Sequence, residues 1–377
     1  MGPETAPAKD RRERTSNFEV LRIIAMMMVI LQYIALYGGW PIVITQTFDA
    51  APNTFFIQFI YHFGKIGVWI FVLITGYFMV NSNSHVLPKF LKLYLQVFTT
   101  SVIFDVAFIL IGEASIDSVE WRRDLLPLIS GNWWFASTYL IALPFIPFVN
   151  RMLRSLDRRQ HLTLIVMLLL AWFLIPTFTH SSMYGSFVIM FMTMYIIGAF
   201  IRLYPESFNR KPGFYASCTL ASIALMAALI MLVDLVGPIE NLRPFESTLA
   251  WGSDSSVIVV LVATLTFLTF RQIDVGCIRW VNLVASTTFG IYLIQEHHLF
   301  REWIFGVLDM GAQYDSICLV PYVLLCMVLI FSVCGILEFA RMQTVDRVTA
   351  RIIPALSKAI YRIQSRIVDG PAERVRS

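Results

Sequence analysis

Of the 377 residues, 57 % are hydrophobic, 14 % are charged and 14 % are aromatic, with a formal net charge of +4. Soluble proteins carry roughly a quarter charged residues, so this composition excludes a soluble globular enzyme, a disordered chain and a disulfide scaffold. The small net charge gives no case for a nucleic-acid partner.

Ten apolar segments follow in chain order, approximately 18–38, 55–80, 91–112, 132–150, 161–178, 183–203, 214–236, 254–270, 280–296 and 316–338. A helix needs about 20 apolar residues to cross a ~30 Å hydrocarbon core, so the expectation is an all-α integral membrane protein of about ten spans. The sixth segment is the most interrupted. The ninth is the least apolar, carrying Asn282, Ser286, Thr287, Thr288 and Gln295. The first is too long, and lacks the small-residue site, for a cleaved signal peptide.

Loop charges orient these spans. Basic residues collect before span one (Lys9, Arg11, Arg12, Arg14), ahead of span three (Lys89, Lys92) and between spans four and five (Arg151, Arg154, Arg158, Arg159). They recur between spans six and seven (Arg202, Arg210, Lys211), between eight and nine (Arg271, Arg279), and in the tail. The intervening loops are neutral or acidic, as in Glu113, Asp117, Glu120 and Asp124 against Arg122 and Arg123. The positive-inside bias then puts both termini in the cytoplasm. Three regions result: a cytoplasmic arm at 1–16, a membrane domain at 17–340 and a basic tail at 341–377. Val345, Val348, Ile352, Ile353, Leu356, Ile360 and Ile363 recur near helical spacing in the tail, which reads as an amphipathic helix on the membrane lipid, kinked at Pro354.

Five cysteines, 218, 277, 318, 326 and 334, form no Cys-x-x-Cys and read as small buried apolar residues. Six histidines (62, 85, 161, 180, 297 and 298) show no metal-ligand spacing beyond one adjacent pair, so no metal is expected.

Ionisable residues inside a span are costly and mark function by default. Arg22 lies one turn into span one with Glu19 at i−3, which fits either an interfacial ion pair or a ligand contact. Tyr33 stands three turns further, about 16 Å deeper on the same stripe, with Gln32 beside it and offset about 80° around the helix from Arg22. A cation at the cytoplasmic edge and a polar group at mid-membrane describe a lined cavity for a long anionic ligand. His62 and Lys65 in span two, Asp105 in span three and Asp254 at the start of span eight are further candidates. Lys89 and Lys92, at i and i+3, read as ordinary flanking charge or as a phosphate clamp.

These residues resemble the acyltransferase-3 family of integral membrane acyltransferases, which O-acylate bacterial surface carbohydrates and some antibiotics. Asn17-Phe18-Glu19-Val20-Leu21-Arg22-Ile23-Ile24-Ala25-Met26 is similar to the family's first helix. Gly67-Val68-Trp69-Ile70-Phe71-Val72-Leu73-Ile74-Thr75-Gly76-Tyr77-Phe78 is similar to its Gly-Val-x-x-Phe-x-x-Ile-Ser-Gly-Tyr segment. Trp133-Trp134-Phe135 with Tyr139 resembles a Trp-Phe-x-x-x-Tyr helix, and Thr288-Phe289-Gly290-Ile291-Tyr292-Leu293-Ile294 the penultimate span.

The resemblance implies that Arg22, with Glu19, Lys89 and Lys92, engages an acyl-CoA co-substrate. It also implies that Trp133, Trp134, Tyr139 and Gln295 face the substrates. The family's first helix has Arg-x10-His, its His serving as base on the acceptor hydroxyl. Here that position holds Tyr33, with Gln32 before it, and a second common His position holds Gln295. Imidazole takes up a proton near neutral pH; an amide does not, and a phenol has an ordinary pKa near 10. Tyr33 and Gln32 are therefore joined as catalytic candidates by His62, Asp105 and the His297-His298 pair.

The implied activity is transfer of an acyl group, from acetyl-CoA or a related acyl-CoA, to a hydroxyl of a surface or lipid-linked carbohydrate at a bacterial cytoplasmic membrane. The missing His motivates a second reading, a non-catalytic relative that exports or flips a glycan or lipid carrier.

Overall fold

The structure is a computed structural model that describes residues 16–42, 44, 47, 49–82, 86–117, 131, 133–179, 186–236 and 256–369, with side chains to 363. Helices occupy every apolar segment marked in the sequence. In chain order they are α1 (Asn17–Tyr37), α2 (Pro52–Met79), α3 (Val86–Leu110), α4 (Trp134–Ala142) and α5 (Ile146–Ser155). Next come α6 (Arg158–Leu169), α7 (Ile175–Thr179), α8 (Phe187–Leu203), α9 (Pro212–Val236) and α10 (Val257–Gln272). The last are α11 (Arg279–Glu296), α12 (His298–Leu308) and α13 (Leu319–Asp369). A 3-10 turn at Leu143–Phe145 joins α4 to α5, and a π-helical turn at Leu170–Leu174 joins α6 to α7.

Among the described residues, seven helices are long and apolar enough to cross a membrane: Asn17–Tyr37, Pro52–Met79, Val86–Leu110, Trp134–Ser155, Arg158–Thr177, Pro212–Val236 and Leu319–Ile363. Helices α8 and α10 are equally apolar but have only 17 and 16 residues. Helix α11 falls short because Arg279, Asn282, Gln295 and Glu296 toward its ends lower its hydropathy. The tail is helical, as its pattern suggests, and continues α13 through Pro354. Asp254, His85, His180, Arg122 and Arg123 lie outside the described residues.

Helices α1 and α2 form the centre. Each is mostly buried, whereas α3, α9 and α13 bury little more than a quarter of their apolar stretch and turn the rest outward. Glycine makes the central contacts possible. A Cβ at Gly64 would run into the backbone of Met28 and the side chain of Gln32, and one at Gly67 into the carbonyl of Ala25. Helices α2 and α8 meet through a reciprocal pair, Gly76 against the Tyr195 carbonyl and Gly198 against the Leu73 carbonyl. Small residues at such seams let backbones approach closely, the packing that replaces hydrophobic drive in lipid.

Polar contacts fix the helix ends. The Ser16 hydroxyl donates to Asn282 Oδ1 at 2.8 Å and accepts from the Ile278 N–H at 2.8 Å, joining the start of α1 to that of α11. Asp157 caps α6 in a reciprocal box with Gln160, satisfying N–H groups the helix leaves unpaired. Against the outer parts of this frame, α11 packs on α1 and α13, and α3 packs on α13. The space left between α1, α2, α3, α4 and α11 holds the site.

Candidate active site

Two cavities meet inside this space. The outer is open and about 380 Å³ in volume; Arg22, Lys89, Lys92, Gln96, Thr75 and Tyr139 supply its polar wall. The inner is narrow, about 30 Å³, and almost wholly apolar, with Met26, Val29, Tyr33, Val68 and Trp134 on its wall and Tyr292 beside them. Phe71, Phe135, Thr288 and Phe289 line both, so the outer chamber narrows into the inner one.

Helix α1 supplies one continuous wall. Arg22, Met26, Val29 and Tyr33 are spaced i, i+4, i+7 and i+11, so a single stripe runs from the open mouth to the inner end. Arg22 is both things its sequence context allowed: it pairs with Glu19 through contacts of 2.9 and 2.7 Å and also lines the outer cavity. Glu19 is not on the cavity wall. It is 5 % exposed and holds the guanidinium of Arg22 from behind.

Lys89 and Lys92 share the mouth with Arg22, three cations from two helices on one opening. The Lys89 ammonium also reaches the Ser82 hydroxyl at 3.5 Å. Tyr139 lines the same chamber, its hydroxyl 3.8 Å from the Met79 sulfur.

At the inner end the Tyr33 side chain interacts with Trp134, Tyr292 and Glu296. Glu296 lies close enough to influence the Tyr33 hydroxyl electrostatically, without a hydrogen bond between them, and pairs with Arg301 at 3.0 Å. Arg301 stacks over the Tyr37 ring, 4.2 Å from its centroid, and Tyr37 stacks on Tyr33. Glu296, Tyr292 and Arg301 thus back Tyr33. Tyr292 belongs to the Thr288–Ile294 motif, whereas Glu296 and Arg301 are not among the sequence candidates, although Glu296 is an acid at the end of a span beside Gln295 and two histidines.

Other candidates fall away from the cavity wall. Gln32 is turned to the α2 seam, where it packs on Gly64. His62 is buried at 6 % exposure, edge-on to Tyr61 at 5.0 Å. Trp133 is a packing residue, 1 % exposed, whose indole N–H donates to the Leu293 carbonyl at 3.0 Å. Gln295 is buried, and neither of its amide atoms has a hydrogen-bond partner. Asp105 meets the histidine pair instead of the cavity: its Oδ1 lies 3.2 Å from His297 Nε2, with both side chains fully enclosed.

A second polar network underlies the outer chamber. Gln96 donates to Glu338 Oε1 at 3.0 Å, and Arg341 holds both Glu338 oxygens at 2.7 and 2.8 Å while also reaching Asp346 at 2.7 Å. Gly290 makes room for the Glu338 carboxylate, since a Cβ there would overlap it. This network ties α3, α11 and α13 together beneath the cationic mouth.

Among the described residues, an all-helical bundle of long apolar helices around a cavity with a basic mouth and an apolar inner end is that of a multi-pass membrane protein. Residues 15–339 match the acyltransferase domain family known as acyltransferase-3. The chain belongs to that family. No curated protein and no solved structure matches it.

Proposed function

We propose that the chain is a membrane O-acyltransferase of ten spans with both termini cytoplasmic. It moves an acyl group, acetyl in the simplest case, from cytoplasmic acyl-CoA to a hydroxyl of a surface or lipid-linked carbohydrate. The observation that carries this reading is the two-chamber cavity, cationic at the mouth and apolar inside, with Tyr33 at its inner end. Arg22, Lys89 and Lys92 suit the phosphates of coenzyme A, because cations in one opening give charge-assisted hydrogen bonds to phosphate oxygens. The apolar chamber suits the acyl end. The ten-span topology is supported by helices at all ten apolar segments and by the alternation of loop charge.

The chemistry has few requirements. The acceptor oxygen attacks the thioester carbonyl carbon, a C–O bond forms and the C–S bond breaks. Coenzyme A leaves as its thiol. The acceptor's proton must pass through a group on the inner wall, and Tyr33 stands there with Glu296 behind it. A phenol is a poor base by itself but relays a proton well: it gives its own to the Glu296 carboxylate and takes the acceptor's. The proton held by Glu296 returns through the Tyr33 hydroxyl, which lines the cavity, to the departing thiolate. His62 and His297 do not line either cavity, so neither meets the positional requirement of a base.

Mass spectrometry of cell-surface glycans with and without the gene tests the activity. The expected result is loss of a mass equal to one acyl group, restored by the wild-type gene and not by Arg22→Ala. An unchanged glycan mass together with altered glycan export would overturn the enzyme reading in favour of a carrier.

A further inference from the structure

A second polar site lies away from the cavity, where α3 meets the junction of α11 and α12. Asp105 projects from α3, and His297 and His298 occupy the break between the two later helices. One ligand atom from each residue falls within 4.8 Å of the other two. We propose that Asp105, His297 and His298 bind a divalent transition ion, zinc by donor set.

Three observations support this. First, the His297 Nε2 to Asp105 Oδ1 separation is 3.2 Å, yet neither atom is aligned for a hydrogen bond. Two ligands each about 2.0–2.1 Å from a tetrahedral zinc stand roughly 3.3 Å apart, with their lone pairs aimed at a third point and not at each other. Second, both Asp105 oxygens and both His297 nitrogens are fully buried without a hydrogen-bond partner. Burying a carboxylate in this way costs several kcal/mol unless a cation accompanies it. The nearest cation in sequence, Arg301, is already paired with Glu296 at 3.0 Å.

Third, the surroundings are those of a closed metal site. Phe104 and Trp133 lie against the His297 ring, at 5.5 and 6.0 Å between centroids, and Phe300 packs edge-on to Phe104. His298 stacks on His297 at 4.9 Å and is only partly buried, which leaves a route in for the ion. Binding requires the His298 side chain to turn so that its nitrogen closes the remaining distance. Three protein ligands leave the fourth position for water. The sequence displayed only the adjacent histidines; the third ligand comes from a helix 192 residues earlier. The ion fastens α3 to the α11–α12 break, and this proposal does not depend on the acyltransferase reading.

The test uses the full chain, purified in detergent through a tag that contains no histidine and without chelators. Elemental analysis is expected to find about one zinc per chain in the wild type, and roughly a tenfold loss in Asp105→Asn and in His298→Gln. Wild-type protein stripped with a chelator is expected to regain about 3 °C of Tm on addition of zinc. Cobalt in place of zinc is expected to give the visible bands of tetrahedral coordination. Absence of metal in the wild type with no Tm response to zinc would overturn the proposal. So would zinc retained at full occupancy in both variants.

Discussion

Helix α1 shows two faces that differ in purpose although their residues alternate along one stretch of chain. The face toward α2 is closed: Ala25, Met28 and Gln32 meet Gly64 and Gly67 with no space for a further carbon. The other face is open, and Arg22, Met26, Val29 and Tyr33 line the two chambers. Consecutive residues on a helix are about 100° apart, so Gln32 and Tyr33, both candidates for the expected histidine position, separate onto different faces. The closed face sets where α1 lies. The open face sets what the cavity admits.

The largest effect should come from the closed face. Gly67→Leu forces α1 and α2 apart at the Ala25 carbonyl, and overpacking of a tight seam costs about 1–3 kcal/mol or more. The expected outcome is loss of folded, detergent-extractable protein, read by size-exclusion chromatography. Next is Arg22→Ala on the open face. It removes charge-assisted bonds worth roughly 1.5–3 kcal/mol, which weakens acyl-CoA binding by about 10–100-fold and also lowers the Tm, because the buried Glu19 loses its partner.

Tyr33→Phe keeps the ring and removes the hydroxyl. Turnover should fall by about 100-fold, within the range of general acid–base contributions, while acyl-CoA binding stays the same. Tyr33→His restores the family's usual residue and should support turnover at or above the wild-type rate. Lys89→Ala and Lys92→Ala should each raise the KM for acyl-CoA by a few-fold, an effect that fades as salt rises because exposed charges are screened. Gln32→Ala is expected to have the smallest effect, shifting stability slightly and leaving KM and kcat unchanged. A large loss of turnover from Gln32→Ala would break the two-face division outright.

Much of this architecture was legible before any coordinates. Long apolar runs separated by polar breaks became helices because backbone groups in lipid must be satisfied within the segment. Arg22 and Tyr33 were placed on one stripe by helical periodicity alone, and both line the cavity. The polar middle of the ninth segment was also informative, since Ser286 and Thr288 line the outer chamber.

The remainder depended on tertiary contacts that periodicity does not encode. Glu19 was grouped with the ligand contacts, but its position behind Arg22 follows from the direction in which each side chain leaves the helix. The meeting of Asp105 with His297 and His298 joins elements far apart in the chain. Tail residues from Val345 onward carried an amphipathic pattern that suited a helix. Nothing in that pattern marked whether α13 stops at the membrane surface, and Pro354 did not end it. Glu296 carries no sequence mark of its role, because only the fold brings the end of α11 up behind Tyr33.

The central claim is that the open face of α1 lines an acyl-CoA site. The most direct measurement is the Kd of acetyl-CoA for the purified wild-type protein, Arg22→Ala and Gln32→Ala, each with its Tm recorded. The account predicts saturable binding in the wild type, the same Kd in Gln32→Ala, and a Kd about 10–100-fold weaker in Arg22→Ala. Equal binding by Arg22→Ala and the wild type, or no binding by a folded wild-type protein, would contradict it.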